Sequence, residues 1–235
     1  YWIYDFILPY TVLEALLKRN GRKLKNYLAT RPHRQFTMLD CHDGIPVKPD
    51  LNDLYESGDA REVVRTCVER GANLSFVLSP KHKDPDGFDV HQIRCSYYSV
   101  LGSDDDAYLS ARAIQFFAPG IPQVYYAGLL AGENDVGAVQ RTGEGREINR
   151  HNYTMEEVDA RVQKEVVQRL LKLIRFRNEY PAFNGIFRLL DSEDNIIRLR
   201  WQKEEKTCTL TVNLETSRSE IEFSGEGGDM VRYRT

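Results

Sequence analysis

A chain of 235 residues, 41% of them hydrophobic and 29% charged, is long enough to bury a substantial core, so disorder is not the starting expectation. A formal net charge of −3 leaves no electrostatic footprint for nucleic acid or an anionic membrane surface and points to small neutral or anionic partners. No run approaches the roughly 18 consecutive apolar residues of a membrane span, and Cys41, Cys67, Cys95 and Cys208 are scattered without a CxxC pair, which argues against a disulfide framework or a zinc site and fits a reducing cytoplasm.

The chain opens on Tyr1, and residues 1 to 9 already read as a buried strand running into a turn, so the sequence is expected to begin inside a fold. That first strand spans residues 2 to 8. A helix over residues 11 to 19 follows, with Val12, Leu13, Leu16 and Leu17 at helical spacing. A second strand is expected at 35 to 40, helices at 60 to 70 and 104 to 117, and a third strand at 123 to 127. Asp104, Asp105 and Asp106 suit the start of the third helix, where the helix dipole favours carboxylates, and capping explains them better than a cation site. Short apolar strands alternating with helices predict parallel βα units buried on both faces.

After the third strand comes a polar loop over residues 128 to 153. One helix is then expected from about residue 156 to 178, carrying Val166, Val167, Leu170, Leu171 and Ile174 on one face and ending before Tyr180-Pro181. From Phe187 onward the pattern alternates, at 196 to 201, 207 to 212 and 220 to 223, which predicts an antiparallel sheet with one wet face. The division falls near Asn184-Gly185, giving units 1–184 and 185–235. Three βα units cannot close a doubly buried sheet, whereas a TIM barrel takes eight strands and roughly 250 residues. The expected fold is therefore α/β, the last three units of a (β/α)8 barrel followed by a small antiparallel β-domain. An open doubly wound sheet is the alternative, but the sequence has no GxGxxG or P-loop pattern.

Barrel chemistry sits at the C-terminal ends of the strands. There the second strand runs into Asp40-Cys41-His42-Asp43-Gly44, ionisable groups whose burial without partners costs several kcal/mol, so they serve one another or a ligand. A hydrogen-bond network that merely finishes the strand is the structural alternative. Asp89-Val90-His91-Gln92 follows a Pro- and Gly-rich loop over residues 79 to 87, a usual place for substrate contacts, although taken alone a solvated, charged surface loop is the better explanation. The third cluster, Gly143-Glu144-Gly145-Arg146-Glu147-Ile148-Asn149-Arg150-His151, offers guanidinium forks suited to carboxylates, phosphates or sugar hydroxyls. Arg150 is explained equally well by an Arg-Glu network that holds the loop shut. Cys67 and Cys95 read as small buried hydrophobes.

With these clusters the chain resembles the sucrose phosphorylase group of the α-amylase superfamily of glycoside hydrolases. The resemblance rests on Tyr4-Asp5-Phe6, Gln35-Phe36-Thr37 with His42-Asp43-Gly44-Ile45, Tyr97-Tyr98-Ser99, Phe117-Ala118-Pro119-Gly120-Ile121-Pro122-Gln123-Val124-Tyr125-Tyr126, Leu130-Ala131-Gly132-Glu133-Asn134-Asp135, and Gly145-Arg146 with Ile148-Asn149-Arg150-His151, over residues 1 to about 184. It implies reversible transfer of a glucosyl unit between an α-glucoside such as sucrose and inorganic phosphate, with retention, and neither a metal nor an organic cofactor. It implies that Asp43 stabilises the transition state, that His42 and Arg146 bind the glucose, and that Asp89, His91 and Gln92 lie on a mobile loop contacting acceptor sugar and phosphate. The nucleophile and the acid/base are expected upstream of Tyr1, so the chain alone is expected to be inactive. His91 stands where sucrose-preferring relatives carry Tyr, and Pro46 where relatives often have Gly. Both keep sucrose 6-phosphate, glucosylglycerol and glucosylglycerate open as substrates. Hydrolysis or transglucosylation of an α-glucoside, a binding module without activity, and a homodimer also stay open.

Overall fold

The computed structural model describes residues 1–48, 57–78, 87–225 and 227–235. In chain order the first half forms β1 (Ile3–Asp5), α1 (Leu8–Lys18), α2 (Arg22–Thr30), β2 (Gln35–Thr37), β3 (Ile45–Pro46), α3 (Ser57–Glu69), β4 (Asn73–Phe76), β5 (Val90–Arg94), α4 (Tyr97–Val100), α5 (Asp105–Phe117) and β6 (Ile121–Pro122). The second half forms α6 (Tyr126–Leu129), α7 (Val136–Thr142), α8 (Met155–Val162), α9 (Glu165–Glu179), β7 (Ile186–Leu189), β8 (Ile196–Lys203), β9 (Lys206–Asn213), β10 (Arg218–Ser224) and β11 (Met230–Arg234).

Strands β1, β2 and β6 pair in parallel in that order, as expected for βα units. Helix α1 starts earlier than its apolar spacing indicates, because the Asp5 carboxylate accepts the amides of Ile7 and Leu8 at 3.2 and 3.0 Å and Pro9 is harmless in a first turn. Asp5 is itself buried against Arg31 at 2.6 Å and the Tyr27 hydroxyl at 2.5 Å. Helix α5 is capped by Asp104, whose carboxylate accepts the Ala107 amide at 2.8 Å, and every residue from Ala107 to its end is buried. It lies between the parallel strands and the C-terminal sheet. Trp201 Nε1 donates to the Phe117 carbonyl at 2.8 Å, and the Ser110 hydroxyl donates to the Ser217 carbonyl at 2.8 Å.

The C-terminal sheet is antiparallel with strand order β11-β10-β9-β8-β7, and alternate residues Ile197, Leu199, Trp201, Cys208, Leu210, Val212 and Ile221 are buried against the rest of the chain. Among the described residues no strand pairs with the outer side of β1 or β6. Trp2, Ile3, Tyr4 and Phe6 on and beside β1 and Ile121 on β6 are exposed, an apolar rim along both edge strands of this sheet. Among the described residues no helix is long and apolar enough to cross a membrane.

Several elements differ from the sequence expectation. The third strand is Ile121–Pro122 rather than 123 to 127, and Tyr126–Leu129 is helical. Gly120, at φ +132°, lets the chain approach the Gln35 carbonyl where a Cβ would collide, and the pairing then ends with the Gln123 amide on the Thr37 carbonyl at 2.8 Å. Helix α2 arises from only three buried residues, Leu24, Tyr27 and Leu28, on an otherwise charged segment. A second, antiparallel sheet of order β3-β5-β4 stands apart from the parallel one. The loop of residues 128 to 153 contains α6, α7 and the 3-10 turn Gly145–Asn149. The expected single long helix breaks at Lys164, whose ψ of 138° is extended, into α8 and α9.

Candidate active site

Strand β2 leads through the buried Met38 and Leu39 into Asp40, whose side chain points back into the core. Its Oδ2 lies 2.6 Å from Nη2 of Arg112, with side-chain exposures of 4% and 0%. Arg112 also donates to Gln115 Oε1 at 2.9 Å and to the Tyr108 hydroxyl, which donates onward to the Gly128 carbonyl at 2.5 Å. Burial opposes the guanidinium charge, but the Asp40 carboxylate outweighs it and holds the Arg112 pKa above its ordinary value. A Cβ on Gly128 would run into this ion pair, so a glycine is required there. Asp40 thus fastens the strand end to α5.

Three residues later the geometry opens. The Gly44 amide donates to the Cys41 carbonyl at 3.3 Å, and the Asp43 amide approaches Cys41 Sγ at 3.4 Å, closing a tight turn. Gly44 takes φ +98°, and a Cβ there would meet the Ile93 carbonyl of β5. His42 and Asp43 stand on this turn with their side chains 65% and 32% exposed. Asp43 Oδ2 lies 3.3 Å from His42 Nε2, while its Oδ1 lies 3.4 Å from Arg150 Nη2 and 3.7 Å from Arg146 Nη1. The 3-10 turn Gly145–Asn149 brings both arginines over the carboxylate. It is strapped down where Asn149 Nδ2 donates to the Cys41 carbonyl at 2.9 Å and Arg150 Nε to the His42 carbonyl at 2.9 Å.

Of the six residues singled out from sequence, Asp43, His42 and Arg146 form one group. Asp89, His91 and Gln92 form another. His91 and Gln92 are on strand β5, which corrects their expected place on a mobile loop, while Asp89 lies in the loop just before it; residues 79–86 of that loop lie outside the described residues. The His91 carbonyl accepts the amides of Val47 and Lys48 at 2.9 and 3.2 Å, and Gln92 pairs with Pro46 and Ser75 across the small sheet. Neither His91 nor Gln92 makes a side-chain bond to Asp43 among the described residues. They reach its neighbourhood through β3, which begins two residues after Asp43. Arg150, which the sequence explained equally by a loop network, is closer to Asp43 than Arg146 is. Arg94, unnoticed in the sequence, places Nη1 against Gly145, and its buried Nε has no hydrogen-bond partner among the described residues. Its only sequence signal is a lone cation on an otherwise uncharged strand. Two arginines and an imidazole around one partly exposed carboxylate make a polar surface able to meet sugar hydroxyls or an anion.

No family model matches the chain. It is 62% identical over 231 residues to the sucrose 6(F)-phosphate phosphorylase of Thermoanaerobacterium thermosaccharolyticum, covering 98% of this chain and 47% of that protein. It is 42% identical to the glucosylglycerol phosphorylase of Marinobacter adhaerens over 94% of this chain and 46% of the relative, and 39% identical to the sucrose phosphorylase of Agrobacterium vitis over 95% and 46%. The crystal structure of sucrose 6F-phosphate phosphorylase from Thermoanaerobacter thermosaccharolyticum superposes on 100% of this chain and 48% of its own, with TM-score 0.99 and 60% identity. An α-amylase from H. orenii shares the fold at TM-score 0.55 and 16% identity, over 99% of this chain and 46% of its own. The chain therefore spans about half the length of the relatives it matches. The chain is thus similar along nearly its whole length to sucrose 6(F)-phosphate and sucrose phosphorylases and matches the C-terminal part of such an enzyme, parallel βα units followed by a five-stranded antiparallel sheet.

Proposed function

We propose that the complete protein containing this chain is a retaining α-glucosyl phosphorylase that moves a glucosyl unit reversibly between a sucrose-type donor and inorganic phosphate, with sucrose 6-phosphate as the preferred donor. The observation that carries the reading is the Asp43 carboxylate, half-exposed at a strand end with His42, Arg150 and Arg146 within 3.7 Å, in a chain that matches a sucrose 6(F)-phosphate phosphorylase along 98% of its length. Sugar hydroxyls donate to a carboxylate in this position, and those hydrogen bonds tighten as the glucosyl carbon becomes oxocarbenium-like. His42 and Arg146 add contacts to the same sugar. Asp89, His91 and Gln92 would meet the acceptor, and an imidazole at residue 91 suits an anionic one.

Double displacement with retention needs a nucleophile and an acid/base about 5 to 5.5 Å apart. In this reading both come from the half of the enzyme outside these residues. The test is Asp43→Ala in the complete enzyme, assayed for release of glucose 1-phosphate. Turnover is expected to fall by about 10²–10³-fold or more, the scale of removing one preorganised electrostatic contact. Near-normal turnover would overturn the role of Asp43. Glucose release independent of phosphate as the main activity would overturn the phosphorylase reading in favour of a hydrolase, and equal kcat/KM for sucrose and sucrose 6-phosphate would overturn the preferred donor.

A further inference from the structure

The strap that carries Arg146 and Arg150 is fastened at its far end by a side chain that the proposed chemistry does not use. His151 places Nδ1 2.6 Å from Asp135 Oδ2 and Nε2 3.1 Å from Glu157 Oε1. A neutral imidazole has one N–H donor and one lone pair, so only the imidazolium satisfies two carboxylates at once. Each carboxylate is separately anchored at the start of a helix. Asp135 Oδ1 accepts the Ala138 amide at 2.8 Å and caps α7, while Glu157 Oε2 accepts the Thr154 amide at 2.7 Å in the capping box of α8. On the strap itself the Asp135 amide donates to the Ile148 carbonyl at 2.7 Å, and the Tyr126 hydroxyl donates to the His151 carbonyl at 3.0 Å. One residue before His151 stands Arg150, with its bonds to the His42 carbonyl and the Asp43 carboxylate.

We propose that His151 is a positioning residue whose imidazolium pins the strap between the starts of α7 and α8 and so holds Arg150 and Arg146 on Asp43. Loss of its proton turns a lone pair toward a carboxylate, replaces one hydrogen bond by repulsion, and loosens the strap. The groups that surround the ring favour its charge. Asp135 and Glu157 touch it directly, and the Tyr153 ring lies 4.6 Å away. The cation Arg161 lies over the Tyr153 ring at 5.3 Å and acts on Glu157, and Arg141 acts on Asp135. The hydrogen bond to Asp135 raises the His151 pKa above 6.5, partial burial opposes it, and Glu157 adds to the rise.

The activity readout rests on the proposed phosphorylase reading; the titration of the ring does not. In the complete enzyme, His151 is followed by NMR of labelled imidazole, assigned through His151→Gln, alongside the pH profile of phosphorolysis. His151 should titrate above 6.5, Asp135→Asn should lower that midpoint, and kcat/KM should fall on the alkaline side with the same midpoint. His151→Gln should cost about tenfold in kcat/KM, the value of one charge-assisted hydrogen bond, and remove that alkaline limb. His151→Lys, which keeps a cation able to donate to both carboxylates, should recover much of the rate and move the limb upward. Titration of His151 at or below 6.5 would overturn the proposal even if the His151→Gln variant folds poorly. An unchanged alkaline limb in His151→Gln or Asp135→Asn would overturn it as well. If the wild-type enzyme performs no phosphorolysis, the proposed activity fails while the titration still decides the clamp.

Discussion

Asp40 and Asp43 lie three residues apart, and opposite consequences are expected when each is truncated. Asp40 pairs with an Arg112 side chain that has no solvent exposure. Asp40→Ala leaves that guanidinium with only the neutral acceptors Gln115 and Tyr108, and losing one partner of a buried ion pair costs about 3–5 kcal/mol. At roughly 1–2 °C per kcal/mol for a protein about twice this length, the melting midpoint should drop by about 5 °C. Asp43→Ala should cost no more than about 1 kcal/mol, because its ion pairs are partly exposed and screened. The assay is thermal and urea unfolding of both variants in the complete enzyme at pH 7. The double variant Asp40→Ala with Arg112→Met should recover most of the loss, since replacing both charges by apolar groups is near neutral. An Asp40→Ala loss under about 1 kcal/mol, or a double variant as unstable as the sum of the singles, would refute the assignment of Asp40 to the core.

Gly44→Ala should destabilise by about 2 kcal/mol or more, from the positive φ and the collision with the Ile93 carbonyl, and a wild-type urea midpoint for this variant would contradict that. Of these four cysteines, iodoacetamide at pH 8 should label Cys41 first in the native enzyme, because burial raises its thiol but leaves it partly open, whereas it pushes the Cys67 and Cys208 thiols up to about 12 and Cys95 well above its ordinary value; peptide mass spectrometry checks this, and native labelling of Cys67 ahead of Cys41 counts against it. Residues 145–151 should be best protected from hydrogen exchange in an intermediate pH window. The raised pKa of His151 supplies stability that is complete below 6.5 and lost as pH rises through its folded value, whereas the lowered pKa of Asp135 supplies stability present above 3.8 and lost as pH falls through its folded value. Protection that stays constant across both limits, after correction for intrinsic exchange, would show that the clamp is not electrostatic.

Where a segment's own pattern decides its structure, the sequence was readable. The Asp104 cap precedes a helix buried along almost its whole length, and the alternation of Ile197, Leu199 and Trp201 marks one face of a sheet that packs inward. Where a distant partner decides, it was not. Strand β3 has two residues and exists because Ile45 and Pro46 meet Ile93 and Gln92, so the strand position of His91 follows from pairing across residues far apart in sequence. Helix α2 shows three apolar positions amid charges and is held by packing. The third parallel strand was misplaced because the aromatic run after Gln123 carries the apolar signal, while pairing is set by Gly120 and stops at Pro122. The division proposed at residues 184 and 185 falls between the 3-10 turn Pro181–Asn184 and β7. Of the site, the residue types on the Asp43 turn were legible, but the nearer approach of Arg150 than Arg146 depends on how the 3-10 turn crosses the strand end.

In the proposed reading of Asp43 as a binding carboxylate, its place beyond the core rather than within it has a physical reason. A carboxylate locked at 2.6 Å to a fully buried arginine has its orientation decided and cannot trade that partner for a sugar hydroxyl without leaving an orphaned charge. Asp43 keeps two arginines at 3.4 and 3.7 Å and the His42 imidazole at 3.3 Å, all on partly exposed side chains, contacts worth about 1 kcal/mol or less apiece in solvent. A hydroxyl pair can displace or join them at small cost, and once a ligand excludes water the same arginines act through a lower dielectric and grip harder. The rigid Asp40–Arg112 anchor fixes where the turn begins, and the strap from Gly145 to His151 fixes where its partners stand. Asp43 itself is left free enough to bind.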